Sequence, residues 1–179
     1  MKQKGFILVV SLIFMAVMSI LAIYMFSGFT TDAVLSANSR EKSRALDAAQ
    51  SALDNAALWM GTGANTYNGV SWVTGNACAG ASAVPVICSN PLITPATLPW
   101  PAYSSFTPTG MTVNAAGGLA NIYAANTQYY IQYLGPAPGG LQAALYQVTA
   151  TAQGGNATAT SVVQAVYQIQ SNSSCATCP

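Results

Sequence analysis

The sequence predicts an α+β protein. A long N-terminal helix, with a membrane half and an amphipathic half, packs on a C-terminal antiparallel sheet. Three observations predict this. Phe6 to Phe26 is an unbroken apolar run without a charge. Thr30 to Met60 contains neither proline nor glycine, and its apolar residues recur at three- and four-residue steps. Residues 128–170 alternate in polarity between glycine-bearing turns, the pattern of half-buried strands.

The first segment, FILVVSLIFMAVMSILAIYMF, has only Ser11 and Ser19 as polar residues. Its length matches the roughly 20 residues that span a bilayer as a helix. A cleaved secretory signal has a shorter apolar core, about 7 to 15 residues, and ends in a small-residue cleavage site. The segment is therefore expected to stay as a membrane helix. Lys2 and Lys4 precede it, so the positive-inside rule keeps the N-terminus cytoplasmic and sends the rest of the chain outward.

Met1-Lys2-Gln3-Lys4-Gly5 is short and basic and ends in glycine directly before Phe6. With the apolar helix behind it, this leader resembles that of type IV prepilins. Together with SREKSRALDAAQSAL it resembles the N-terminal region of PilX-type minor pilins. The resemblance implies a type IV pilin-like fold, cleavage after Gly5 by a prepilin peptidase, and N-methylation of Phe6. Most major pilins carry a glutamate as the fifth residue after the cut, where this chain has Val10. A carboxylate in hydrocarbon is costly unless paired. In related systems the subunit without that glutamate stands at the filament tip, so Val10 implies a tip or initiating role.

Ser27-Gly28 interrupts the apolar run, and it is either a melted point or a glycine tolerated in an intact helix. Beyond it, Leu46, Ala49, Leu53, Ala56 and Met60 mark one helix face. Leu46, Leu53, Leu58 and Trp59 are expected to cover the sheet, while Ala45, Ala48, Ala49, Ala52, Ala56 and Ala57 keep the outer half slim. Glu41 and Arg44, and Arg44 and Asp47, are three apart and are expected to pair along the exposed side. Gly61 and Gly63 end the helix.

Residues 61–126 are rich in Gly, Pro, Asn, Ser and Thr, which predicts loops with a few short strands. Trp72, Trp100, Tyr103 and Phe106 are expected to anchor these loops in the core, with an aromatic sugar-binding shelf as the alternative. QYYIQYL (128–134), LYQVTATAQ (145–153) and ATATSVVQAVYQIQ (157–170) predict a three-stranded meander. Val148-Thr149-Ala150, a glycine turn and Val162-Val163-Gln164 with Tyr167 resemble the C-terminal sheet of the same minor pilins.

Four cysteines in an exported head fit an oxidising compartment. Of the three pairings possible, Cys78 with Cys88 and Cys175 with Cys178 is the local solution. The alternative clips the terminal pair to the loop region. Cys175 and Cys178 also have the spacing of thiol oxidoreductases and zinc knuckles. They stand at the end of the sequence with Pro179 behind them, and stapling is the expected role.

Only 5% of the chain is charged, and residues 55–179 carry no Asp, Glu, Lys, Arg or His. General acid-base catalysis needs such groups, as do phosphate contacts and magnesium or calcium sites. The chain is therefore expected to be no enzyme, to take no cofactor or small-molecule substrate and to bind no nucleic acid. The charge-free head has little to titrate in acid, which suggests acid tolerance. Its neutral surface suits life on a filament better than free solution.

The expected organisation is a leader at 1–5, a membrane and filament-core helix at 6–26, an amphipathic helix at 27–60 and a head at 61–179. The resemblance implies other pilins, the prepilin peptidase and the inner membrane as partners. It implies a single-pass inner-membrane protein before assembly and an extracellular one in the pilus. A type II secretion pseudopilin and a pilus-associated adhesin are the rival functions, with adhesion and twitching motility as the associated activities.

Overall fold

The structure, a computed structural model, describes residues 6–114, 122–138 and 142–171. Gly5, Cys175 and Cys178 lie outside the described residues, and so does the leader. One helix, α1, runs Phe6–Met60. The chain divides into two compact units, Met1–Arg40 and Glu41–Pro179, and each is described by itself.

In the first unit the helix runs on through Ser27 and Gly28, so the glycine is tolerated rather than melted. A Cβ added at Gly28 would meet nothing within 4 Å.

Among its described residues the second unit holds the last turns of α1 and eight strands. They are β1 (Gly80–Ser82), β2 (Ile87–Cys88), β3 (Ala102–Phe106), β4 (Thr112–Val113), β5 (Ile122–Tyr123), β6 (Thr127–Pro136), β7 (Ala143–Gln153) and β8 (Thr160–Gln170). The six-stranded sheet has the order β1-β3-β6-β7-β8, with β2 also paired to β6. Its centre is antiparallel, as expected, and the meander is β6-β7-β8. The loop region adds what the meander lacked: β3 pairs antiparallel with β6, while β1 on β3 and β2 on β6 are parallel. β4 and β5 form a separate parallel pair. The last strand starts at Thr160 rather than at 157, because Ala159 closes a turn onto Asn156 and Gly154. β6 reaches Pro136 through an irregularity between Tyr133 and Gly135, where Gly135 takes a φ of 126° that other residues rarely adopt.

Period-two alternation assigns the two faces of the sheet. Tyr129, Ile131, Tyr146, Val148 and Ala150 form one core cluster with Ala52, Ala56 and Met60 of the helix. Tyr130 points the other way and packs with Cys88, Leu92, Trp100 and Ala102 of the loop layer. Trp100 is the buried anchor that was expected, its Nε1 donating to Pro95 O at 2.9 Å. Trp72, Tyr103 and Phe106 pack only partly buried against these clusters.

The helix face is in part as expected and in part a correction: Ala49, Ala56 and Met60 are buried and Leu53 and Trp59 pack partly buried against the core, but Leu46 and Leu58 turn outward and the alanines inward. Ala45, Ala48, Ala49, Ala52, Ala56 and Met60 are the buried helix residues, whereas Leu58 is 72% exposed and Leu46 is 38% exposed. The alanines lie toward the sheet because the sheet brings the bulk: Tyr129 and Tyr146 are its largest fully buried side chains. Large side chains facing small ones fill the layer at native density.

The helix C-terminus needs no charge to be satisfied. The four last carbonyls of a helix lack intrahelical donors. Here Gly61 N–H donates to Ala57 O, Thr62 Oγ1 to Leu58 O, Asn65 Nδ2 to Trp59 O and Thr66 Oγ1 to Met60 O. The Tyr146 hydroxyl lies 3.0 Å from both Thr66 O and Val73 O, shares its one proton between them, and ties the capping loop to the sheet.

Candidate assembly helix and its anchor in the head

Phe6 to Phe26 presents apolar side chains all round, and each of them is exposed within its own unit. An 18-residue stretch of α1 reaches a mean hydropathy of 3.0, and the helix is long and apolar enough to cross a membrane. Its two polar residues are silenced by the helix itself. Ser11 Oγ donates to Leu8 O at 2.9 Å and Ser19 Oγ to Met15 O at 2.8 Å. With those hydroxyls satisfied internally, neither serine brings an unpaired donor into hydrocarbon. Phe6 is the first residue of α1, and Val10 is exposed one turn further on. Such a helix buries its surface either in lipid or against other apolar helices.

The second unit fastens its own stretch of α1 with the charges that the rest of the head lacks. Glu41 Oε2 accepts a hydrogen bond from Gly155 N–H in the β7–β8 turn. Arg44 pairs with Glu41 Oε1 at 2.8 Å, donates to Ile122 O at 2.9 Å and lies 4.7 Å from the centre of the Tyr123 ring. Lys42 Nζ donates to Thr160 O at the start of β8. The Glu41–Arg44 pair is thus formed as expected, but half-buried rather than along an open surface. The expected Arg44–Asp47 pair is absent among the described residues, because the guanidinium is committed to Glu41, Ile122 and Tyr123.

Gly154 and Gly155 make this fastening possible. A Cβ at Gly154 would stand 2.7 Å from the Glu41 carbonyl oxygen, and one at Gly155 would stand 2.8 Å from its carboxylate. Neither glycine has a positive φ. They are there for space, since the turn presses directly on the helix backbone. Sequence reading saw a glycine turn but not this contact, because a hairpin turn and a close approach leave the same residues.

Cys78 and Cys88 form the disulfide expected of the local pairing, with Cα atoms 5.3 Å apart and a sequence separation of 10. It closes the chain from the loop before β1 onto β2. By chain entropy a loop of this size contributes about 2 to 3 kcal/mol. Asn90 reinforces the same corner, accepting from Cys78 N–H at 2.8 Å. Among the described residues no three His, Cys, Asp or Glu side chains group to hold a metal ion.

Burial pushes the Tyr129 and Tyr146 hydroxyls up to about 12, and for Tyr146 the nearby Tyr133 adds to the shift. Burial also raises Tyr130 and Tyr167. Of these phenols, Tyr130 donates to Asn90 O at 2.7 Å and Tyr146 bonds the carbonyls of Thr66 and Val73.

Neither a curated protein nor a solved structure matches this chain. Two family models do. Residues 4–54 match the PilX N-terminal family, and residues 55–169 match the family described as type IV pilus assembly protein PilX, C-terminal. Together they take in the apolar helix, its anchored half and the whole described sheet. The chain belongs to the PilX family of type IV pilus assembly proteins and is a PilX-type minor pilin.

Proposed function

We propose that this minor pilin acts in pilus initiation or at the pilus tip, after cleavage between Gly5 and Phe6 and N-methylation of Phe6. Before assembly it is held in the inner membrane by Phe6 to Phe26 with its N-terminus cytoplasmic. In the pilus it is extracellular, and its partners are other major and minor pilins that pack against the same helix.

The observation that carries this reading is an uncharged, exposed helix with Val10 at the fifth position after the cleavage site. A shaft subunit gains from a carboxylate there that meets the amine of its neighbour. A subunit with nothing above it would bury that carboxylate unpaired, at roughly 2.5 to 3.5 kcal/mol. Valine removes the penalty together with the contact.

The test is to delete the gene and to label the subunit on sheared pili. Loss of piliation with label confined to filament ends supports the reading. Label along the whole shaft overturns the tip placement, and normal piliation with impaired protein secretion favours the pseudopilin reading.

A further inference from the structure

A cavity of about 280 Å³ opens between the Leu98–Pro99 segment and the sheet, at the start of β6 and the end of β7. Gln128 and Thr151 are register partners there, on the face opposite Tyr129 and Ala150, so this is the side of the sheet turned away from the helix. Asn126 and Gln153 complete the polar lining, and Leu98 and Pro99 supply an apolar wall. No lining residue is charged.

Three carboxamides therefore meet in one recess. Gln128 Oε1 is buried and receives no hydrogen bond from the described residues. An unmatched buried acceptor costs free energy, which marks the Gln128 carboxamide as poorly satisfied by the fold alone. Asn126 Oδ1 already accepts from Thr107 Oγ1 at 2.9 Å, which leaves its amide nitrogen as the end to offer a ligand. Thr151 Oγ1 donates to Ser161 O at 3.0 Å and keeps its lone pairs for accepting. The opposite wall is held by Trp100, whose indole is buried and bonded to Pro95 O, and by the turn from Thr97 N–H to Thr94 O.

The chemistry of the recess selects among ligands. Without charge in the lining, an ion would lose hydration and gain no partner. A peptide read by strand addition needs a free sheet edge. Here Gln128 is paired on both sides, with Ser105 and Thr151, and Thr151 is paired with Gln128 and Val162. What remains is a compact neutral molecule with hydroxyl donors and acceptors and one apolar face. Carboxamides supply both donors and acceptors to such groups. At about 280 Å³ the cavity lies at the small end of ligand sites, roughly 300 to 1,000 Å³, room for one ring rather than a chain.

We propose that this recess binds a single neutral hexopyranose unit of a glycan, with Asn126, Gln128 and Gln153 reading hydroxyls and Leu98 and Pro99 packing its C–H face. The site is not the aromatic shelf that the sequence offered as an alternative. It is also independent of where the subunit sits in the filament, so its failure and the failure of the tip reading are separable.

The experiment uses the full-length protein in a zwitterionic detergent free of sugar headgroups. Saturation-transfer NMR is recorded with the methyl glycosides of glucose, galactose, mannose and N-acetylglucosamine, with sialic acid and with an uncharged acetylated tripeptide amide. At least one neutral glycoside should show saturable transfer. Gln128→Ala and Gln153→Ala should each weaken it about tenfold, the loss of one good hydrogen bond. Gln153 lies at the end of β7, so its variant keeps the test valid if Gln128→Ala lowers the melting temperature. No transfer to any of the four glycosides, equal transfer in parent and Gln153→Ala, or stronger transfer to sialic acid or to the tripeptide overturns the proposal.

Discussion

The Glu41 carboxylate accepts a hydrogen bond from the backbone N–H of Gly155, 114 positions further along the chain. That contact joins the first residue of the head unit to the turn between its two longest strands. Glu41→Gln keeps the shape but gives up the ion pair with Arg44 and weakens the bond to Gly155. A half-buried, charge-assisted contact of this kind contributes about 1.5 to 3 kcal/mol. Glu41→Gln should lower the thermal unfolding midpoint by several degrees, and Gly155→Ala should do so at least as strongly because its Cβ has no room. Unchanged midpoints in both variants would remove the fastening from the account.

The alanine face makes an opposite pair of expectations for two helix positions. Ala52 is fully buried against the sheet, so Ala52→Leu overpacks that layer and should destabilise by about 1 to 3 kcal/mol. Leu58→Ala removes a larger side chain from an exposed position and should change the stability of the isolated subunit by no more than about 0.5 kcal/mol. Chemical denaturation of the two variants separates this packing from one in which the leucines cover the sheet.

Stability should fall on the alkaline side. Tyr129 and Tyr146 have folded-state pKa values raised to about 12 against an ordinary value of 10.0, so the folded state binds more protons in that window. Their contribution is complete below about pH 10 and is lost as pH rises through about 12. Thermal melts should show a steep fall there, reduced in Tyr129→Phe.

On the acid side residues 55–179 offer no side chain that titrates in that range. The carboxylates of the head unit are Glu41, Asp47 and Asp54, all on the helix. A variant with all three neutralised to Gln or Asn should melt at nearly the same temperature at pH 3 and pH 7. A large drop at pH 3 in that variant would end the proposal of acid tolerance.

How much of this was legible in the sequence follows from the range of each interaction. The apolar run, the helix stop at Gly61 and the β6-β7-β8 meander are set by local period and turn chemistry, and residues 128–170 alone announce the sheet. The short strands β1 and β2 are not legible that way. Gly80–Ser82 and Ile87–Cys88 are strands only because β3 and β6 pair with them in parallel. Only the placement of Leu46, Leu58 and the alanines on the helix was misread, and for a related reason. Leucine and alanine both satisfy an apolar period, and which of them turns inward depends on the tyrosines waiting on the sheet. The fastening of Glu41, Lys42 and Arg44 was visible as a charge cluster, but its partners are backbone groups at Ile122, Gly155 and Thr160, and backbone carries no sequence signal. The recess beside Gln128 joins segments from three parts of the chain and has no local signature.

The account rests on the apolar helix as the element that assembles, and mass spectrometry of the subunit in sheared filaments tests this most directly. The mature chain is predicted to be present in filaments and to begin at N-methylated Phe6. A filament subunit that still begins at Met1, or one that begins beyond Phe26, would contradict it.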